Sequence, residues 1–109
     1  MNKKEEAREM LIRLRALMKT SWIQGAMAID EKGYCVACDS TQATQFCLLG
    51  GVHRIGLNDR AWSSLISIIE KQDEKFTTII TFNDWPGITV SDILSVIDQA
   101  IILNEGEVI

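Results

Sequence analysis

Three cysteines and a single histidine are the side chains of this sequence best suited to hold a metal ion. Cys35 and Cys38 form a C-x-x-C pair, and Cys47 and His53 follow it along the chain. Three thiolates and one imidazole can complete a tetrahedral zinc site. A C-x-x-C pair alone is a weak signal, however, and no second C-x-x-C or H-x-x-x-H motif accompanies it. Zinc binding through these four residues is therefore a weak alternative, and no cofactor is expected.

Cys47 and His53 could also form a nucleophile and base pair. An activated thiolate needs partial exposure and a cationic neighbour or a helix N-terminus. Cys47 instead lies in the apolar run 46–49, which is typical of a buried helix, where a thiol packs as a small hydrophobic group. Six helical residues turn by roughly 600°, which separates the two side chains. We expect a packing thiol, and almost no exposed surface at Phe46, Cys47 and Leu49.

The segment 83–87, with sequence NDWPG, is the clearest turn signal in the chain. Proline and glycine suit the two central positions of a type II turn. A pocket between the Trp22–Gly25 loop and the Asn83–Thr89 turn would combine polar side chains with an aromatic wall. Asn and Asp in turns often bond to nearby backbone instead. The candidate ligand-binding residues are Trp22, Asn83, Asp84 and Trp85, and no catalytic residue is assigned.

Helical periodicity and capping residues predict the elements that would position these groups. Apolar residues recur with helical spacing, and Asp39, Asn58 and Thr89 each suit an N-cap. Asp92 is placed to complete a capping box with Thr89. The predicted helices span about residues 4–20, 40–53, 58–71 and 89–103.

Two segments favour β-structure. Residues 26–37 resemble a hairpin, with Gly33 supplying the positive φ of the turn. Residues 76–82 are rich in β-branched and aromatic types, which favours a strand, although a buried helical turn fits equally. The prediction is a mainly α, compact four-helix domain around the Phe46–Leu49 core with a minor β-hairpin; the alternative is a small α+β fold.

Length and charge limit the functional classes. A chain of 109 residues corresponds to a single domain, 1–109, with a frayed tail at about 104–109. The net charge is −4, and residues 21–109 carry five basic and twelve acidic side chains. Nucleic acid is not an expected partner, because binding it needs a basic surface. The charged N-terminus and short apolar runs predict neither signal peptide nor membrane span, and therefore a cytoplasmic location with reduced cysteines.

Three segments together resemble a family of small bacterial and phage-encoded proteins that is carried as a domain of unknown function. The matching patterns are WxxGAxAxDxxG from Trp22, FCxxGG from Phe46 and FNDxPGxT from Phe82, and the likeness covers roughly residues 8–103. The resemblance implies a compact, mostly helical single domain and no established activity.

The same resemblance bears on the candidate sites. Members of the family carry proline or other residues where Cys35 and Cys38 stand, which implies that the zinc set is not a family feature. Cys47, Asn83 and Asp84 occupy motif positions. A family motif can nevertheless be a folding motif, so this position does not make them catalytic.

The leading functional hypothesis is a non-enzymatic protein-interaction or accessory module with an unknown protein partner. It rests on the small size, the acidic body and the lack of a complete catalytic set in the sequence. The alternative is a small-ligand binder or enzyme that uses the pocket between the Trp22–Gly25 loop and the Asn83–Thr89 turn. The third hypothesis is the zinc module described above.

Overall fold

The computed structural model describes residues 2–105, and within them five α-helices and one two-stranded sheet form a compact, mainly helical structure. The predicted fold class is therefore confirmed. The helices are α1 (Lys3–Ser21), α2 (Leu48–Ile55), α3 (Asp59–Gln72), α4 (Ile79–Asp84) and α5 (Val90–Leu103). The strands are β1 (Ala28–Ile29) and β2 (Gln45–Phe46), which pair antiparallel with Ala28 opposite Phe46.

Helix α1 lies at the centre of the packing and contacts α2, α3 and α5. Its buried stripe consists of Ala7, Leu11, Leu14 and Met18, which have no exposed surface and recur at intervals of three or four residues. The side chain of Asn2 caps its first turn by accepting a hydrogen bond from the Glu5 N–H at 2.8 Å. The predicted first helix is therefore confirmed.

The caps at Asn58 and Thr89 and the turn at Pro86 and Gly87 are also as predicted. The Asn58 side chain accepts from the Ala61 N–H at 2.8 Å and begins α3. The Thr89 N–H donates to the Asp92 carboxylate at 2.8 Å in a capping box that begins α5. Gly87 has a φ of +92°, and the Ile88 N–H donates to the Trp85 carbonyl, as in a type II turn.

The prediction of a helix over residues 40–53 with Asp39 as its cap is wrong. Residues 45–46 pair with β1, and the helix begins only at Leu48, with Cys47 as its N-cap. Gly50 lies inside α2 against the Met27 backbone and does not end the helix. A non-local strand pairing has overridden the apolar pattern, which is compatible with either a helix or a buried strand.

The predicted hairpin over residues 26–37 is only partly formed. The Asp30 carboxylate does organise a turn by accepting from the N–H groups of Lys32 and Tyr34, and Gly33 has the expected positive φ of +87°. The two arms are joined by an isolated antiparallel bridge between Ile29 and Cys35 and by a hydrogen bond from the Val36 N–H to the Ala28 carbonyl at 3.1 Å, without extending into a second strand. β1 takes β2 as its partner, because the chain returns to it at residue 45.

Two further expectations were open or incorrect. Residues 79–84 are helical, since Thr78 caps α4 by accepting from the Thr81 N–H at 3.0 Å, so the helical interpretation of residues 76–82 is the one observed. Asn104 is 1% exposed and bonds to Arg60, which contradicts a frayed tail at that residue. Residues 106–109 lie outside the described part.

Burial of the predicted core run is mostly as expected. Phe46 and Cys47 are buried, whereas Leu49 is half-buried and Leu48 occupies the core in its place. The register differs because the helix begins at residue 48. Between residues 2 and 105, no helix has the length and apolar character needed to cross a membrane.

Candidate functional site

The side-chain amide of Asn83 is the polar centre of the structure. It is completely buried, and its Oδ1 accepts from the Trp22 indole Nε1–H at 2.7 Å and from the Leu48 N–H at 2.9 Å. Its Nδ2 donates to the Ile23 carbonyl at 3.2 Å and to the Asp84 carboxylate at 2.8 Å. We call these five residues the Asn83 junction. It connects the loop after α1, the N-terminus of α2 and the end of α4.

The orientation of this amide is determined by its partners. The Trp22 indole and the Leu48 backbone N–H can only donate hydrogen bonds, so the oxygen of the amide must face them. An amide oxygen has two acceptor positions and its nitrogen two donor hydrogens, and Asn83 uses all four. No hydrogen-bonding capacity of Asn83 is left for a ligand.

The loop Trp22–Gly25 and the end of α4 are joined by further hydrogen bonds. Gln24 donates from Nε2 to the Asn83 carbonyl at 2.9 Å. The Gly25 N–H donates to Asp84 Oδ1 at 3.0 Å, and Gly25 has a φ of +88°, which favours glycine at this position. The predicted neighbourhood of the Trp22–Gly25 loop and the Asn83–Thr89 turn is therefore present in the structure.

Beside the junction lies a cavity of about 190 Å³, which we call the Asp84 cavity. It is lined by Gly25, Ala26, Met27, Cys47, Ile80 and Asp84. Asp84 Oδ1 accepts two hydrogen bonds, whereas Oδ2 has no hydrogen-bond partner within residues 2–105. Asp84 is exposed, so Oδ2 faces solvent, and the cavity combines apolar walls with an accessible carboxylate at its edge.

The two candidate tryptophans do not line the Asp84 cavity. Trp22 is half-buried, and it borders a separate surface cavity with Ile88 and Thr89. Trp85 packs edge-to-face on the Phe76 ring, with ring centres 5.6 Å apart. Of the four candidate ligand-binding residues, only Asp84 borders the cavity directly, while Asn83 fixes its position.

Cys47 borders the cavity as a neutral thiol. As the N-cap of α2 it accepts from the Gly50 N–H at 3.3 Å, which corrects the predicted position inside a helix. Burial raises the pKa of the Cys47 thiol, and the hydrogen bonds from the Gly50 and Leu49 N–H groups oppose this without reversing it. His53 is exposed and borders other surface cavities. The thiol therefore has the low reactivity of a buried cysteine.

The predicted zinc ligands do not form one cluster. Throughout residues 2–105, no three His, Cys, Asp or Glu side chains are grouped closely enough to hold a metal ion. Cys38 and His53 border the same shallow depression, but Cys35 and Cys47 do not border it. Cys35 is exposed and Cys47 is buried, so the two differ in environment as well.

Sequence reasoning missed the residues that form the cavity walls. Met27 and Ile80 are partly exposed apolar residues with no polar or turn signal of their own. Gln24 was also missed, although it adjoins Gly25, whose positive φ marks a turn in the loop. These residues come from the loop after α1, from the segment that leads into β1, and from α4. Only the folded structure brings them together.

The fold and this site define a small helical protein in which a saturated structural amide adjoins a small cavity. The chain belongs to a family of unknown function (DUF6197), whose model matches residues 2–103. The predicted membership of an uncharacterised domain family is thereby confirmed. No curated protein and no solved structure matches the chain.

Proposed function

We propose that this protein is a non-enzymatic binding module that receives a side chain of a partner protein in the Asp84 cavity. The observation that carries this proposal is the rigid edge of the cavity. Asp84 is held by the Gly25 N–H and the Asn83 amide, and Asn83 is itself fixed by three further hydrogen bonds. A preformed site of this kind reduces the ordering cost of binding.

The chemistry of the cavity favours binding over catalysis. Nucleophilic catalysis needs an activated nucleophile with a base within hydrogen-bond reach. Burial keeps the Cys47 thiol neutral, and His53 is not among the residues that line this cavity. The amide of Asn83 has no unused donor or acceptor. The carboxylate of Asp84 is then the group available for recognition.

The surroundings of the cavity suit a protein partner. Met27 and Ile80 line it and are 38% and 47% exposed. Apolar side chains around a small concavity resemble the pockets that receive anchor residues at protein interfaces. We further propose a bacterial or phage origin and a cytoplasmic location, which the resemblance and the odd number of cysteines support.

A photo-crosslinking amino acid at position 80 tests this proposal. Ile80 lines the cavity, and Ile12 on α1 is a matched control with an almost equal exposure of 49%. We expect the Ile80 variant, in extract from the source organism, to form a discrete crosslink that the Ile12 variant does not form. An excess of protein without the crosslinking amino acid should suppress this crosslink. Mass spectrometry should identify the same crosslinked partner in repeated experiments.

The control determines how the crosslinking result is interpreted. Equal crosslinking from both positions, or none from Ile80 in a variant that keeps the wild-type melting temperature, would overturn the proposal. Crosslinking from the Ile12 variant alone would show that the interface lies on α1, and it would also overturn the proposal.

A further inference from the structure

We infer that the Asp84 cavity takes a primary alkylammonium group, as found at the end of a lysine side chain. This inference rests on the proposed function and names the chemistry of the group that binds. It is carried by the one-sided bonding of the Asp84 carboxylate together with the apolar walls of Met27 and Ile80.

The carboxylate offers one oxygen to a ligand. Asp84 Oδ1 already accepts from the Gly25 N–H at 3.0 Å and from Asn83 Nδ2 at 2.8 Å. Oδ2 has no partner within residues 2–105, and because Asp84 is exposed this oxygen is accessible to solvent and to a ligand. A guanidinium group binds a carboxylate best through two parallel hydrogen bonds to both oxygens. An ammonium group is a compact point charge and needs only one oxygen. The bonding pattern therefore favours an ammonium group over a guanidinium group.

The walls and the volume suit the stem of such a ligand. Apolar surface from Ala26, Met27 and Ile80 can cover methylene groups, as it does for the buried stems of lysine side chains. The cavity of about 190 Å³ is much larger than the space of about 15 Å³ that a single water molecule needs by the same measure. A four-carbon stem with its ammonium group fits within that space.

The charges around the cavity favour a cation. The neutral thiol of Cys47 leaves Asp84 as the charged side chain among the lining residues. The ammonium nitrogen of Lys75, a cation near Trp85, lies 3.6 Å from Asp73 Oδ2 and 5.0 Å from the centre of the Trp85 ring, so its ion pair is with Asp73. No ion pair involves Asp84 within residues 2–105. Residues 21–109 also carry an excess of acidic side chains, which attracts cations over longer distances.

The test is an NMR titration of the full chain with n-butylammonium chloride at constant ionic strength. We expect saturable shifts of the amide signals of Gly25, Met27, Cys47 and Ile80. Asp84→Asn keeps an acceptor for the Gly25 N–H but removes the charge, so its affinity should fall by about tenfold or more. Asp59→Asn, an equivalent change outside this cavity, should leave the affinity unchanged.

Probes with an uncharged, anionic or guanidinium head group test whether the site selects the ammonium group. We expect 1-butanol, butyrate and methylguanidinium to bind at least about tenfold more weakly than n-butylammonium, since each lacks either the positive charge or the compact ammonium group. If 1-butanol bound as tightly as n-butylammonium, the site would be an apolar one. If methylguanidinium bound more tightly than n-butylammonium, the site would be one for guanidinium groups. Either result, absence of saturable shifts, or an equal loss in Asp59→Asn would overturn the inference.

The two proposals fail separately. If Ile80 crosslinks to a partner and n-butylammonium does not bind, the binding module stands and the ammonium class is overturned. If n-butylammonium binds and no crosslink forms, a small amine occupies the cavity and the protein partner is overturned.

Discussion

Asn83→Ala is expected to lower the free energy of unfolding by about 3–5 kcal/mol, because one buried and two part-buried groups lose their partner together. The Trp22 indole, the Leu48 N–H and the Ile23 carbonyl each bond to the Asn83 amide. Truncation leaves them unpaired at a position with no exposed surface. A loss of that size is a large fraction of the stability of an ordinary domain.

Urea denaturation measures this effect, with Asn58→Ala as the matched control. Asn58 caps α3 mainly through one bond to the Ala61 N–H, so its loss should be about 1 kcal/mol. Trp22→Phe removes a single bond of the junction and should also give a smaller loss than Asn83→Ala. Equal destabilisation by Asn83→Ala and Asn58→Ala would show that the junction does not fasten the fold.

Gly50→Ala is expected to destabilise the protein by about 3 kcal/mol or more, although alanine favours a helix over glycine by about 1 kcal/mol. A Cβ at Gly50 would lie 1.8 Å from the Met27 carbonyl oxygen and 2.8 Å from its carbon. This backbone cannot move freely, because the Met27 carbonyl accepts the Cys47 N–H just before α2. The clash therefore separates α2 from the segment that leads into β1.

Gly51→Ala is the matched control for this substitution. A Cβ there would meet the ends of the Met18 and Leu14 side chains, at 2.7 and 3.0 Å, and these side chains can adjust more easily than backbone. We expect Gly50→Ala to lower the thermal and urea midpoints clearly more than Gly51→Ala does. Similar midpoints for the two variants would contradict the close approach of α2 to Met27.

The parts of the fold that were predictable from sequence are those that depend on local signals. The buried stripe of α1, the Asn58 cap and the Thr89 capping box each depend on residues within a few positions of one another. The turn at Pro86 and Gly87 belongs to the same class, since its residue types impose the backbone angles.

The incorrect elements depend on distant partners. The pairing of β1 with β2 joins Ala28 to Phe46, and no local pattern near either residue indicates the other. The apolar run after residue 45 is compatible with a helix or with a buried strand. In the structure Phe46 belongs to β2, whereas Leu48 and Leu49 begin α2. Gly50 permits a close approach of α2 to the Met27 backbone, and no local pattern near the glycine indicates Met27 as its neighbour.

The contact between the two candidate segments was predictable from sequence, whereas the bonding partners of Asn83 were not. Sequence signals identified the Trp22–Gly25 loop and the Asn83–Thr89 turn, and hydrogen bonds do join them. Local turn chemistry suggested that Asn83 would bond to nearby backbone, but its Oδ1 bonds to residues 61 and 35 positions away. Such distances are beyond the range of turn and capping rules, which is why the cavity walls were missed.

One buried amide, that of Asn83, holds together the three segments that form the Asp84 cavity. Hydrogen exchange of the tryptophan indole N–H groups, followed by NMR, tests it most directly. The Trp22 indole donates to the buried Asn83 oxygen at 2.7 Å, whereas Trp62 is 37% exposed and its indole has no hydrogen-bond partner within residues 2–105. The account predicts strong protection of the Trp22 indole relative to that of Trp62. Equally rapid exchange of the two indoles would contradict it.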